Sequence, residues 1–227
     1  MSSIGEVFRN LDWSVLLRIL LQAIPALICI MVHEISHGLV AYALGDRTAK
    51  EQGRLSLNPL HHIDWIGMIM LLVFHFGWAK PVQVDIRHFR HPKRDMALTA
   101  LAGPASNFLL AILFLFLYGL LFSSCAGSTL GRWLLSLLQS AAFLSIALGL
   151  FNLIPFPPLD DSKILFSFLP DRQYIRLMML ERYGMLILIV LVVILNRVFP
   201  VSPIQTAAEA VYQALFPLAQ WANSLTL

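Results

Sequence analysis

From Trp13 to Leu44 the chain is almost wholly apolar, and inside that segment stands His33-Glu34-Ile35-Ser36-His37. A stretch this long and apolar is accommodated most simply as a helix in a bilayer, where each backbone group finds its partner within the segment. About 32 helical residues would run roughly 48 Å, more than a hydrocarbon core, so the helix is expected to tilt, to kink at Pro25 or to project. On it His33 and His37 project from one face at a spacing that can share a metal ion. Glu34 lies roughly 100° around from His33, within reach of a water on that metal. The bland alternative is a surface pair stabilising a helix. Ionisable residues at membrane depth are expensive, however, and point to function by default. Zinc suits neutral imidazoles, and its bound water ionises near neutral pH.

The rest of the chain supports a membrane setting. It has 227 residues, of which 58% are hydrophobic and 13% charged, against about 25% charged in ordinary soluble domains. The fold expected is an all-α polytopic membrane protein with about four full transmembrane helices, a short re-entrant or extended membrane segment and a small β element. A single domain is expected over residues 1–227. The formal net charge of +3 needs no nucleic-acid partner, because the basic residues fall between apolar spans. Cys29 and Cys125 make no disulfide framework. Cys29, one turn before His33, is a possible extra ligand but reads better as a small buried hydrophobe. No cleavable signal peptide is expected, since cleaving the first apolar segment would remove the histidines.

In chain order, a polar stretch from Gly45 to Asp64 follows the first span. Trp65 to Trp78 is apolar but too short to cross as a regular helix, and is expected to re-enter or to lie extended against protein. Lys80-Pro81-Val82-Gln83-Val84-Asp85 alternates as an exposed strand would. Met96–Phe122 is a second span, Trp133 to about Ile154 a third and Tyr183–Val198 a fourth. The tail from Pro203 to Leu227 is weakly amphipathic and is expected at the membrane surface. If 65–78 re-enters, the loops 46–64, 79–95 and 156–182 share one side and hold three, five and four Lys/Arg, twelve of the sixteen in the chain. The positive-inside rule then makes that side cytoplasmic. His61, His62, His88 and His91 fall in polar or basic loops and are expected to be solvated or interfacial.

A catalytic zinc usually has three protein ligands and one open position. Pro155, Pro157 and Pro158 force the chain out of helix just before Asp160-Asp161, on the same side as His37. Those carboxylates are third-ligand candidates, with capping of a following helix as the alternative.

Four stretches, in order, resemble the site-2 protease family of intramembrane zinc metalloproteases: His33–His37 in a transmembrane helix; Gly53-Arg54-Leu55-Ser56-Leu57-Asn58-Pro59-Leu60; Ala102-Gly103-Pro104 with Asn107; and Phe151-Asn152-Leu153-Ile154-Pro155 before Leu159-Asp160. The similarity covers roughly residues 25–165, with a core of about 13–165, and is to the compact prokaryotic branch without PDZ or CBS domains. The resemblance implies one zinc ion held by His33, His37 and Asp160, with Glu34 as general base. Asp161 stands where the family usually has glycine, which keeps it in play beside Asp160. Asn107 and Asn152 are implied substrate or oxyanion contacts, with interhelical packing as the alternative for each. The expected partners are transmembrane protein substrates and the lipid bilayer. The expected location is the cell (inner) membrane of a prokaryote, with the active site toward the cytoplasm. A membrane zinc carrier and a catalytically silent regulator that binds transmembrane helices are the rival readings.

Overall fold

The computed structural model describes residues 13–62, 64, 80–154, 169–170, 172–173, 184, 190 and 202–226, with side chains in the first helix from residue 23 on. Helix α1 covers Trp13–Ala43 with Pro25 inside it. It ends in a Schellman turn. The Asp46 N–H donates to Ala41 O at 2.9 Å and the Gly45 N–H to Tyr42 O at 3.2 Å, while Gly45 takes φ +112°, a left-handed conformation that a side chain disfavours. A single turn, α2 (Thr48–Glu51), follows. Then come α3 (Pro92–Cys125), α4 (Thr129–Asn152) and α5 (Pro203–Ser224). Residues 23–43, α3 and α4 are long and apolar enough to cross a membrane.

The second and third spans begin earlier than hydropathy alone predicts. Pro92 sits at the start of α3, where a missing N–H is harmless, and the buried Asp95 carboxylate accepts from the His91 N–H at 2.9 Å. In α4, Ser128 Oγ caps the Gly131 N–H at 3.0 Å. The link between the two helices thereby shrinks to residues 126–128.

Contacts fix the directions of the helices. His33 meets Asn107 while His37 meets Thr99, so α1 and α3 are antiparallel. Ser145 Oγ donates to Asn107 O at 2.9 Å and Gly149 faces the Phe108 ring, and the link of residues 126–128 is so short that α4 must return antiparallel along α3. Tyr118 stacks near Phe216, and Ser123 Oγ donates to Asn223 Oδ1 at 2.7 Å, so α5 runs with α3. The core gathers Cys29, Ala111, Phe114, Leu115, Ala141, Ala142, Ile146, Ala208, Tyr212 and Ala219 from all four long helices. Small residues let α3 and α5 approach closely: a Cβ on Gly119 would lie 2.1 Å from the Ala219 carbonyl oxygen. The tail expected at the membrane surface is thus a helix whose Ala208, Tyr212, Ala219 and Ala222 are buried against the spans.

Two expectations meet different outcomes in the loops. No strand occurs among the described residues, so Lys80–Asp85 does not form the expected β element there. Pro81 has no N–H to give, and the N–H groups of Val82 and Asp85 go to side-chain carboxylates rather than to a ladder. His62, expected in solvent, is 3% exposed, with Nε2 at 2.8 Å from the Ser56 carbonyl. The flanks of the short apolar run meet, since the Lys80 N–H donates to His62 O at 2.9 Å. The run itself, the fourth span apart from residues 184 and 190, and residues 155–168 lie outside the described residues.

Candidate metal centre

The site is built where one face of α1 meets one face of α3. His33 and His37, one turn apart, lie against Thr99, Gly103 and Asn107, which recur every four residues on α3 and so share a face. The two imidazoles are 3% and 6% exposed and stand edge to face with centroids 4.6 Å apart. Their Nε2 atoms converge to 3.1 Å. Two nitrogens on one tetrahedral zinc at 2.0–2.1 Å would be separated by about 3.3 Å, so little movement brings both onto a shared ion.

The other ring nitrogens are tied down. His37 Nδ1 lies 2.7 Å from the Thr99 carbonyl oxygen. A carbonyl only accepts, so Nδ1 carries the proton and Nε2 is the lone-pair nitrogen. His33 Nδ1 lies 3.0 Å from the terminal amide of Asn107, which is fully buried. As placed, the amide nitrogen faces the ring and Asn107 Oδ1 has no hydrogen-bond partner. A half-turn of the amide lets that oxygen accept from His33 Nδ1–H, which again leaves the lone pair on Nε2. Gly103 makes the space: a Cβ there would come within 2.4 Å of His37 Nε2 and 2.5 Å of His33 Cε1. Oriented lone pairs, anchored opposite nitrogens and a notch that only glycine leaves open fit a metal ion.

Glu34 is half-buried on the next face of α1, where its Oε2 accepts from the Val82 N–H at 2.8 Å. Among the described residues no third His, Cys, Asp or Glu closes on the histidine pair. Asp160 and Asp161 lie outside those residues. Asn152 is buried and its Nδ2 donates to Leu148 O at 3.0 Å, within its own helix. Cys29 packs in the core, with Sγ 3.5 Å from Ala141 O on α4. The structure therefore joins His33, His37 and Asn107, holds Glu34 beside them through Val82, and turns Asn152 to its own backbone.

Three contributors escaped the sequence reading in these roles. The Thr99 carbonyl and the Val82 N–H are backbone groups and carry no residue-type signal. Gly103 as a notch for the imidazoles was legible only as part of the Thr99/Gly103/Asn107 four-residue period within an otherwise apolar helix.

A buried histidine pair on a transmembrane helix, its ring nitrogens oriented from a neighbouring helix, defines a class of membrane metalloenzyme. The family model for Peptidase family M50 matches residues 22–195, most of the chain. The chain belongs to that family, the site-2 proteases, and is a metalloprotease embedded in a membrane by its long apolar helices. It is 38% identical over 176 residues to the "Putative zinc metalloprotease YwhC" of Bacillus subtilis, covering 75% of this chain and 78% of that protein. It is 30% identical over 179 residues to the "Putative zinc metalloprotease Rip2" of Mycolicibacterium smegmatis, covering 76% and 67% respectively. No solved structure matches.

Proposed function

We propose that this protein is an intramembrane zinc metalloprotease that hydrolyses peptide bonds within or beside transmembrane helices of membrane-protein substrates, as a step in regulated intramembrane proteolysis. The observation that carries the reading is the convergence of His33 and His37 Nε2 to 3.1 Å, with both Nδ1 atoms anchored from α3. His33, His37 and Asp160 would hold one zinc ion. The zinc metalloprotease names of its relatives support the choice of metal. Bound zinc supplies a Lewis acid toward the scissile carbonyl and makes water a better nucleophile.

The chain's own residues do the rest. Glu34 accepts a proton from the attacking water at its carboxylate and returns it to the leaving amine nitrogen, so water is consumed and an acid and an amine are released. Asn107, through His33, keeps the lone pair aimed at the metal. Asn152, which gives one N–H of its amide to Leu148 O, would offer the other to the substrate or to the oxyanion. A substrate helix must unwind locally before its carbonyls become accessible, since they are engaged in i→i−4 bonds, so segments with helix-breaking residues are preferred.

The single-domain reading over 1–227, with the catalytic core at 13–165, goes with this assignment. A cytoplasmic-facing site in a prokaryotic cell membrane is supported by two contacts that gather basic loops at one end of the bundle. Lys93 Nζ donates to Leu169 O at 2.7 Å, and the Lys80 N–H to His62 O. With His62, Lys80, Lys93 and Leu169 gathered at one end of the bundle, the basic residues of these loops make that end the positive one.

The test is cleavage of a model transmembrane substrate in liposomes by the wild type, by Glu34→Gln and after chelation, with bound zinc quantified. Zinc-loaded wild type is expected to cut, and Glu34→Gln to keep zinc and lose about 10²–10⁴-fold in rate. Zinc binding with no cleavage of any substrate, or undiminished cleavage by Glu34→Gln, would overturn the reading. Zinc flux across the same liposomes would then identify a carrier.

A further inference from the structure

The segment between the short apolar run and α3 makes a set of contacts that membrane anchoring does not require. Val82 crosses α1 at the metal centre. Its N–H donates to Glu34 Oε2 at 2.8 Å, and its Cγ1 lies 3.3 Å from where a Cβ on Gly38 would sit, so a glycine on α1 makes room for this crossing. Three residues later the Asp85 N–H donates to Asp46 Oδ2 at 2.8 Å.

Asp46 is wholly buried. Its Oδ1 also accepts from the Thr48 N–H at 3.0 Å and from Thr48 Oγ1 at 2.5 Å, and lies 2.9 Å from His88 Nδ1. The Schellman turn at Gly45 delivers this carboxylate to the end of α1. A buried carboxylate with this many partners is a rigid anchor, and the chain it anchors lies on the Glu34 carboxylate. An exposed bond, Gln52 Nε2 to Gln83 Oε1 at 2.8 Å, ties down the middle.

We infer that residues 80–88 form a positioning strap for Glu34, with Asp46 as its anchor and the Val82 N–H as its point of contact. A glutamate has three side-chain torsions, and an N–H on one carboxylate oxygen selects a rotamer while the second oxygen can handle a proton. Asp46 and Val82 are therefore positioning residues for the reaction, acting through Glu34. The inference rests on the general-base reading of Glu34 proposed above.

Hydrogen exchange on the full-length, metal-free protein in detergent tests the strap without relying on activity. Replacing Glu34 by Ala is expected to speed exchange at the Val82 amide at least about tenfold while the Asp85 amide stays protected. Kinetics on the zinc-loaded enzyme test its consequence. Val82→Pro, which deletes the N–H, is expected to retain zinc and to keep KM within about twofold while kcat falls about 10–100-fold. Asp46→Asn offers an N–H₂ where Asp85 or Thr48 needs an acceptor, so it is expected to lower kcat about 3–10-fold by loosening the anchor.

Unchanged exchange at Val82 in Glu34→Ala, or a wild-type kcat in zinc-loaded Val82→Pro, overturns the strap. If Val82→Pro does not fold, the exchange result and Asp46→Asn decide. Glu34→Gln measured alongside separates the two readings. If it fails to cut while Val82→Pro cuts normally, the base stands and the strap falls. If it cuts normally, the base falls and with it the catalytic role of the strap.

Discussion

Helix α3 has two halves of opposite chemistry. From Pro92 to Asn107 its buried residues include Asp95, Thr99, Gly103 and Asn107, whereas from Ala111 to Gly119 they are Ala111, Phe114, Leu115 and Gly119. The second half packs against α4 and α5 as membrane helices do, by small-residue contact and aromatic filling, with Tyr118 and Phe116 against Phe216 and Trp221. The first half places Thr99, Gly103 and Asn107 among its buried positions, and these three hold or make room for the two imidazoles. An interhelical polar bond in a membrane contributes only about 0.6 kcal/mol on average, so stability gives little reason to place Thr99, Asn107 and two histidines there. One half of the helix holds the bundle together and the other orients a reactive site.

That contrast can be broken or sharpened by substitution. The largest effect is expected from Gly103→Val, whose side chain would occupy the notch beside His37 Nε2. Zinc content should fall with cleavage, by at least about 100-fold, in metal analysis and a substrate assay run in parallel. Next, Asn107→Ala should weaken zinc affinity about 10–100-fold, read by competition with a chelator. Asn107→Asp should recover much of it, because a carboxylate oxygen also accepts from His33 Nδ1–H.

Gly119→Val, in the other half, should behave in the opposite way. Its side chain would press on the Ala219 carbonyl and lower stability by about 1–3 kcal/mol, visible as a lower unfolding midpoint in detergent. Zinc affinity and kcat well below that midpoint should remain within about twofold of wild type, because the sites are distant. A loss of zinc affinity in Gly119→Val would erase the distinction between the halves.

The smallest effect concerns Asp46. Burial pushes its carboxyl up, but hydrogen bonds from Thr48, His88 and Asp85 together outweigh this and hold it below the ordinary carboxylate value. A depressed pKa contributes stability that is complete above the unfolded value, about 3.9, and is lost as pH falls through the folded one. Wild type should therefore exceed Asp46→Asn by about 1 kcal/mol near pH 6, and the gap should close on acidification below pH 4.

Much of the fold was legible because hydrophobic length and helix period are local. The apolar run from Trp13 predicted α1 almost to the residue, and the spans expected at Met96–Phe122 and from Trp133 to about Ile154 appeared as α3 and α4. What hydropathy misplaced were the helix starts, which are decided by caps at His91/Asp95 and Ser128/Gly131 rather than by apolarity. The packing of the tail was hidden for a related reason. Its Ala219 and Ala222 look weakly hydrophobic one by one, yet they are the shape that fits against Gly119. Alternation at Lys80–Asp85 suggested a strand, but a strand needs a neighbouring ladder, and here the donors found carboxylates instead.

At the site, the residue types and their spacing by themselves determined that His33 and His37 share a helix face and that Glu34 stands on the next, because a 3.6-residue period leaves no other arrangement. Only the tertiary structure decided which nitrogen of His37 carries the proton, that Asn107 serves His33, that Gly103 must remain bare and that a backbone N–H 48 residues away in sequence rests on Glu34. Those are contacts between elements. They depend on how helices dock and on backbone groups that every residue possesses, so no pattern of side chains along the chain announces them.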